Sequence, residues 1–163
     1  MCTQKHNQYK LSRNDRKRHR GLTLVELIVV VAILGLIGSM ATLTLQSFAE
    51  KGRIRKSRSE LASIQTKIKI FNARNDSLPD SLADVNKGKF LDPWGTLYQY
   101  NNLDNVPKGK WRKDKNLVPL NSDYDLWSNG KDGDSEPPLT AKTSYDDIIR
   151  ANNGTYIGIA SKY

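Results

Sequence analysis

Between Leu27 and Leu45 the chain runs for nineteen residues without a charge. That is close to the ~20 residues a helix needs to cross a bilayer. No other feature of the 163 residues restricts the fold as much. A secretory signal peptide is the first competitor, but its apolar core spans only about 7–15 residues and ends at a small-residue cleavage site. The tetrad Gly38–Ala41 could serve as such a site, yet Thr42–Leu45 carries the apolar pattern past it. Residues 22–45 therefore predict a membrane-spanning helix, with one carboxylate, Glu26, near its start.

The formal charge of +9 could suggest nucleic acid, but its location argues otherwise. Residues 1–21 hold seven Lys or Arg and one Asp, so +6 of the +9 belongs to a basic leader. Such a run is a membrane-flanking or solvated tail rather than a nucleic-acid footprint. The only cysteine, Cys2, and both histidines, His6 and His19, precede Gly21. A chain cut at Gly21 has no disulfide, no His- or Cys-ligated metal, and neither a Ser-His-Asp nor a Cys-His catalytic arrangement. No catalytic residue is singled out, and the chain reads as a non-enzyme.

The helix should continue beyond the membrane. Leu61, Ile64, Ile68 and Phe71 are spaced three, four and three, which places them on one helical face. Lys51, Arg53, Arg55, Lys56 and Arg58 lie on the outer face. The run from Asn72 to Asp80 carries Asn, Asp and Pro stop signals. One helix from about Leu22 to about Arg74 would be about 80 Å long. Its half over residues 46–75 is amphipathic and needs a globular partner, which residues 76–163 should supply. There Ser77–Val85 reads as a short helix entry and Asp92–Gly95 as a type I turn. Thr96–Asn101, Asp123–Ser128 and Thr155–Ala160 read as strands, separated by a basic loop at Lys108–Lys115 and a long acidic loop. The fold class is α+β, one long helix on a small antiparallel sheet.

From Gly21 onward the residues match a known pattern. A basic leader ends in Gly, followed by Leu22, Thr23, Leu24, Val25, Glu26 and an apolar run. This resembles the prepilin cleavage and methylation signal of type IV pilins and type II secretion pseudopilins. The resemblance implies a type IV pilin-like fold, cleavage between Gly21 and Leu22 by a prepilin peptidase, and N-methylation of Leu22 by the same enzyme. The family more often has Phe or Met at that position. On physical grounds alone Glu26 reads equally well as a carboxylate snorkelling to the headgroups or as an assembly group, because acids in hydrocarbon are costly. The match assigns it to assembly, pinning register by pairing with the N-terminal ammonium of a neighbouring subunit. Gly35 and Ser39 form a small-xxx-small pair that would let such helices approach. A proline common in the family's helix is absent, with Thr42 and Leu43 in its region, which implies a straighter helix.

Two further stretches narrow the resemblance to the major pseudopilins of type II secretion: Asp92 to Tyr100, which reads D-P-W-G-x-x-Y-x-Y, and Tyr124–Gly133, which reads YDLWSNGKDG. The Asp147–Ile148 pair matches the family's closing acidic segment. The resemblance implies one calcium ion in the acidic loop. Asp132 matches the first carboxylate ligand and Asp147, or its neighbour Asp146, the second, with backbone carbonyls near Leu126 and Asn129 completing the shell. Oxygen ligands suit calcium. The loop is not an EF-hand, since a pattern begun at Asp132 meets Pro137 and Thr143 where Gly and Glu are required.

The implied function is that of a structural subunit of a pseudopilus. It would be anchored in the inner membrane by a single pass, N-terminus cytoplasmic and C-terminal domain periplasmic, and would polymerise into a periplasmic filament that drives export. The implied partners are further copies of the chain in a helical filament, the prepilin peptidase/methyltransferase, minor pseudopilins, an inner-membrane platform protein with its assembly ATPase, and an outer-membrane secretin. The alternatives are a type IV pilin or minor pseudopilin and, from another class, a membrane-anchored periplasmic binding module using the basic loop around Trp111.

Overall fold

A computed structural model describes residues 21–163 of the chain. The expected leader, with Cys2, His6 and His19, lies outside the described residues except for Gly21, as do the side chains of residues 40–44, where Thr42 and Leu43 stand. The chain divides into two compact units, Met1–Leu43 and Thr44–Tyr163.

The first unit is the start of helix α1, Leu24–Asn75, which runs without interruption through the region where the family's proline would stand. Its large apolar side chains from Leu24 to Ile37 are exposed on every side. Among the described residues no helix is long and apolar enough to cross a membrane. The uncharged run read from the sequence includes residues 40–44, whose side chains lie outside the described ones.

In the second unit, the predicted stripe of α1 is the centre of the core. Leu61, Ile64 and Ile68 are at most 2% exposed and pack with Tyr98, Tyr124, Leu126 and Ile148. Phe71, the fourth residue of the stripe, is half-buried. The helix stops where the chain turns left-handed at Asp76 (φ 54°), with the Asn75 side-chain amide donating to the Phe71 carbonyl at 2.9 Å. A single short turn, α2 (Leu82–Val85), follows. It is shorter than the stretch expected from Ser77. The Asp84 carboxylate closes its start by accepting from the Ser81 N–H at 2.7 Å.

Four antiparallel strands form a meander in chain order: β1 Gln99–Asn102, β2 Tyr124–Ser128, β3 Ile148–Ala151 and β4 Tyr156–Ile159. In the register, Tyr100 lies opposite Leu126, Ser128 opposite Ile148, and Ile149 opposite Gly158. The sequence reading had three strands and assigned none to Ile148–Ala151, between the second and the third, so β3 is a correction. Alternation explains the two faces. Tyr124, Leu126 and Ile148 meet α1, while Trp127, Ile149 and Ala151 face a second cluster with Leu120, Leu139 and Ala160. Because both faces are covered, all four residues of β3 are buried, Arg150 included. The Arg150 guanidinium takes the Asp123 carboxylate in a bidentate pair at 2.7 and 2.8 Å and donates to Gln65 Oε1 on α1 at 2.8 Å. Its polar group is thus satisfied where it is buried.

Ile68 and Ile70 sit on one helix but differ in exposure, at 0% and 47%. Ile68→Ala should cost about 2–5 kcal/mol and Ile70→Ala less than about 1 kcal/mol. Denaturant titration followed by tryptophan fluorescence checks this, and equal costs would refute the packing described.

Candidate functional site

The processing residues and Glu26 lie at the head of α1. Gly21, Leu22 and Thr23 precede the helix in exposed, irregular chain, so the bond between Gly21 and Leu22 is accessible. Thr23 is the N-cap residue and Glu26 lies three positions on. Thr23 N–H and Thr23 Oγ1 both donate to Glu26 Oε2 at 2.9 Å, and the Glu26 N–H donates to Thr23 Oγ1 at 3.2 Å. This reciprocal capping box satisfies two donors that the helix start leaves without partners. The carboxylate also stands where the helix dipole favours a negative charge. The sequence reading gave Glu26 an assembly role and overlooked the cap. The signal was present, since Thr-x-x-Glu before an apolar run is the sequence form of a capping box. Further along, a Cβ added at Gly35 or Gly38 would meet nothing within 4 Å, so packing within the chain does not require either glycine.

The acidic loop joins β2 to β3. Its first turn is closed by Asp146, whose Oδ2 accepts the N–H groups of Lys131 (2.7 Å) and Asp132 (3.1 Å). Gly130 adopts φ +68°, and a Cβ there would fall 2.6 Å from the Asp146 carbonyl oxygen. The turn therefore requires glycine both for its backbone and for its space. Asp132 is exposed, and its Oδ1 accepts the N–H of Asp134 at 3.0 Å. The Asn129 side-chain amide donates to the Gly133 carbonyl at 3.1 Å. Leu126 stands within β2 with its side chain in the core.

Asp147 is fully buried, and its surroundings differ from those of its neighbour. Its Oδ2 accepts from Arg112 Nη2 and from Ser135 Oγ, both at 2.6 Å. Arg112 Nη1 also donates to Ser135 Oγ (2.6 Å) and to the Glu136 carbonyl (2.7 Å). The guanidinium lies over the Trp127 ring, 5.0 Å from its centroid. Burial pushes the Asp147 carboxyl up to about 6, while the Arg112 charge and the Ser135 hydroxyl pull the other way. Burial likewise pushes Arg112 down from its ordinary value against the attraction of Asp147. The basic loop of the sequence reading is thus not wholly solvated, because Arg112 is 2% exposed and points inward. Neither Arg112 nor Ser135 was singled out from the sequence. Arg112 stands 35 residues from Asp147, and no local pattern joins them.

Of the residues matched to calcium ligands, then, Asp147 is engaged by Arg112 and Ser135, Asp146 by backbone amides, and Asp132 by its own turn. Among the described residues no three acidic, His or Cys side chains stand close enough to hold a metal. The buried side-chain oxygens of the loop that lack a hydrogen-bond partner are Asp147 Oδ1, Asn129 Oδ1 and Thr143 Oγ1. Calcium takes six to eight oxygens, more than the side chains of this loop leave open among the described residues.

The family model described as the prokaryotic N-terminal methylation motif matches residues 16–42, which include Gly21, Leu22 and Glu26. The type II secretion system core protein G of Klebsiella pneumoniae is 29% identical over 139 residues, covering 81% of this chain and 94% of that one. Its counterpart in Escherichia coli K12 is 27% identical over 123 residues, covering 72% and 85%. The type IV major pilin protein PilA of Myxococcus xanthus is 29% identical over 83 residues, covering 51% of this chain and 36% of that one. No solved structure matches the chain. The motif and these relatives bear out the resemblance to type II secretion pseudopilins, and the helix with its four-stranded antiparallel sheet bears out the type IV pilin-like α+β fold.

Two glycines of the acidic loop separate backbone strain from close contact. Gly133 also has a positive φ (+75°), but an added Cβ would come no nearer than 3.7 Å to Thr96 Oγ1. Gly133→Ala should cost about 1 kcal/mol and Gly130→Ala at least about 2 kcal/mol, measured by denaturant titration. Equal costs would show that Asp146 does not close the turn.

Proposed function

We propose that the chain is the repeating structural subunit of a type II secretion pseudopilus and carries no catalysis of its own. The observation that supports this most directly is the methylation motif at residues 16–42, joined to relatives named as type II secretion core protein G that span most of the chain. On this reading the leader is removed after Gly21, and Leu22 becomes an N-methylated terminus that keeps its positive charge. The apolar stretch from Leu22 to Leu45 lies in the inner membrane until the subunit joins the filament, with residues 46–163 on the periplasmic side. The basic leader favours that orientation, since Lys and Arg are retained on the cytoplasmic side.

Glu26 links the two states. In the single chain its carboxylate is held by Thr23, which satisfies it at the helix start. In a stack of parallel helices the new ammonium of an adjacent Leu22 meets that carboxylate and fixes the stagger. An ion pair away from water holds register well because leaving either charge alone is costly. The peptidase, the assembly ATPase with its platform protein, the minor pseudopilins and the secretin supply processing, force and passage. The subunit itself supplies shape and adhesion.

A type IV pilin is the second reading. It has less support, because the similarity to the pilin of Myxococcus xanthus covers only about half of this chain. The membrane-anchored binding module depended on the cations around Trp111. One of them, Arg112, is buried against Asp147, and the Trp111 ring N–H is held by the Val106 carbonyl at 3.2 Å.

Mass spectrometry of the mature chain should find N-methyl-leucine at Leu22. Glu26→Gln should still be processed and reach the membrane, yet form no filaments and restore no export in cells lacking the parent protein. Normal filaments from Glu26→Gln would remove the assembly role, and an intact leader would remove the whole reading.

A further inference from the structure

We propose that Arg112 occupies the cation position of the acidic loop, so that an internal guanidinium, and not calcium, holds the segment between β2 and β3 in place. The resemblance predicted a metal there, with Asp147 as a ligand. In the fold, Asp147 faces a cation that is already part of the chain. The guanidinium gathers three oxygens from this loop and its end: Asp147 Oδ2, Ser135 Oγ and the Glu136 carbonyl. These are a carboxylate, a hydroxyl and a carbonyl, the oxygen types a hard divalent ion would also collect. A planar fork of N–H donors serves this set well, and arginine stays charged when buried.

Arg112 is held in that position from several directions. Its own N–H donates to Asp125 Oδ2 on β2 at 2.8 Å, and Asp125 Oδ1 is in turn held by the Asn121 side chain at 2.8 Å. The following residue pairs with the far side of the loop, Lys113 N–H to the Pro137 carbonyl (3.1 Å) and Leu139 N–H to the Lys113 carbonyl (2.9 Å). The Trp127 face lies against the guanidinium plane as a cation–π partner. A mobile surface arginine would show none of these constraints.

The other two carboxylates matched to ligands, Asp146 and Asp132, are spent elsewhere. Asp146 closes the 130–132 turn by accepting two backbone N–H groups, and Asp132 caps Asp134. Among the described residues, Asp147 Oδ1 is the one carboxylate oxygen left buried without a donor. An ion bound there would lie against the Arg112 charge in a region that water does not screen, where like charges repel strongly. Guanidinium and divalent ion thus compete for one carboxylate, and the guanidinium is covalently tethered beside it.

The test uses the full chain in a neutral detergent, melted with calcium chloride at about 10 mM, well above the dissociation constants of extracellular calcium modules, and with chelator. The parent should melt at the same temperature in both. A melting temperature that rises with calcium and falls back with chelator overturns the proposal, as does one calcium bound per chain at equilibrium dialysis. Arg112→Gln should melt lower by about 5 °C or more in chelator, or fail to fold. An Arg112→Gln chain as stable as the parent also overturns it. Rescue of Arg112→Gln by calcium, with no effect on the parent, would be its strongest support. Melting reads the loop and Glu26→Gln reads assembly, so the two readings can fail separately.

Discussion

The burial of three side chains of α1, Leu61, Ile64 and Ile68, against Tyr98, Tyr124, Leu126 and Ile148 is the contact on which the second unit depends. A four-stranded meander with strands of four or five residues gains its stability by covering its apolar faces. It becomes a core only when the helix covers one face and the segments carrying Leu120 and Leu139 cover the other. The polar links follow this apolar contact. Arg150 joins α1 to the sheet through Gln65 and Asp123, and Tyr98 donates to Glu60 at 2.8 Å where the helix passes. Each is a buried or half-buried group whose partner comes from a distant part of the chain.

Much of this was legible in the sequence. The spacing of Leu61, Ile64 and Ile68 gave the buried stripe because helical period alone decides it. The Asp92–Gly95 turn was equally plain, and the Gly95 N–H donates to the Asp92 carbonyl at 3.0 Å. β3 was not legible. Its four residues, Ile148–Ala151, are buried on both faces, so no alternation marks them, and the acids that precede them suggest loop. Arg112 was not legible for a different reason. Its neighbours Lys108, Lys110, Lys113 and Lys115 make the stretch read as solvated, and only the tertiary position of Asp147 selects one of these cations for burial. The adjacent acids show the same limit. Asp146 and Asp147 are indistinguishable by type, yet one closes a turn of amides and the other faces a guanidinium. Thr23 differs again, because the Thr-x-x-Glu spacing to Glu26 marks its cap in the sequence itself.

The two carboxylates of most interest, Glu26 and Asp147, have opposite settings. Asp147 lies in the interior with its cation supplied by the same chain. Glu26 is exposed and holds only uncharged donors of its own helix start. Asp147 meets its cation inside the fold, and on the filament reading Glu26 meets one from a neighbour.

The capping box leaves one oxygen of the Glu26 carboxylate open. Both bonds from Thr23 fall on Oε2, and Oε1 takes none from the described residues. On the filament reading, an arriving terminus can dock on the open lobe while the cap stays closed. Joining the polymer then requires no rupture at the helix head, and a subunit that detaches is left with its start still sealed.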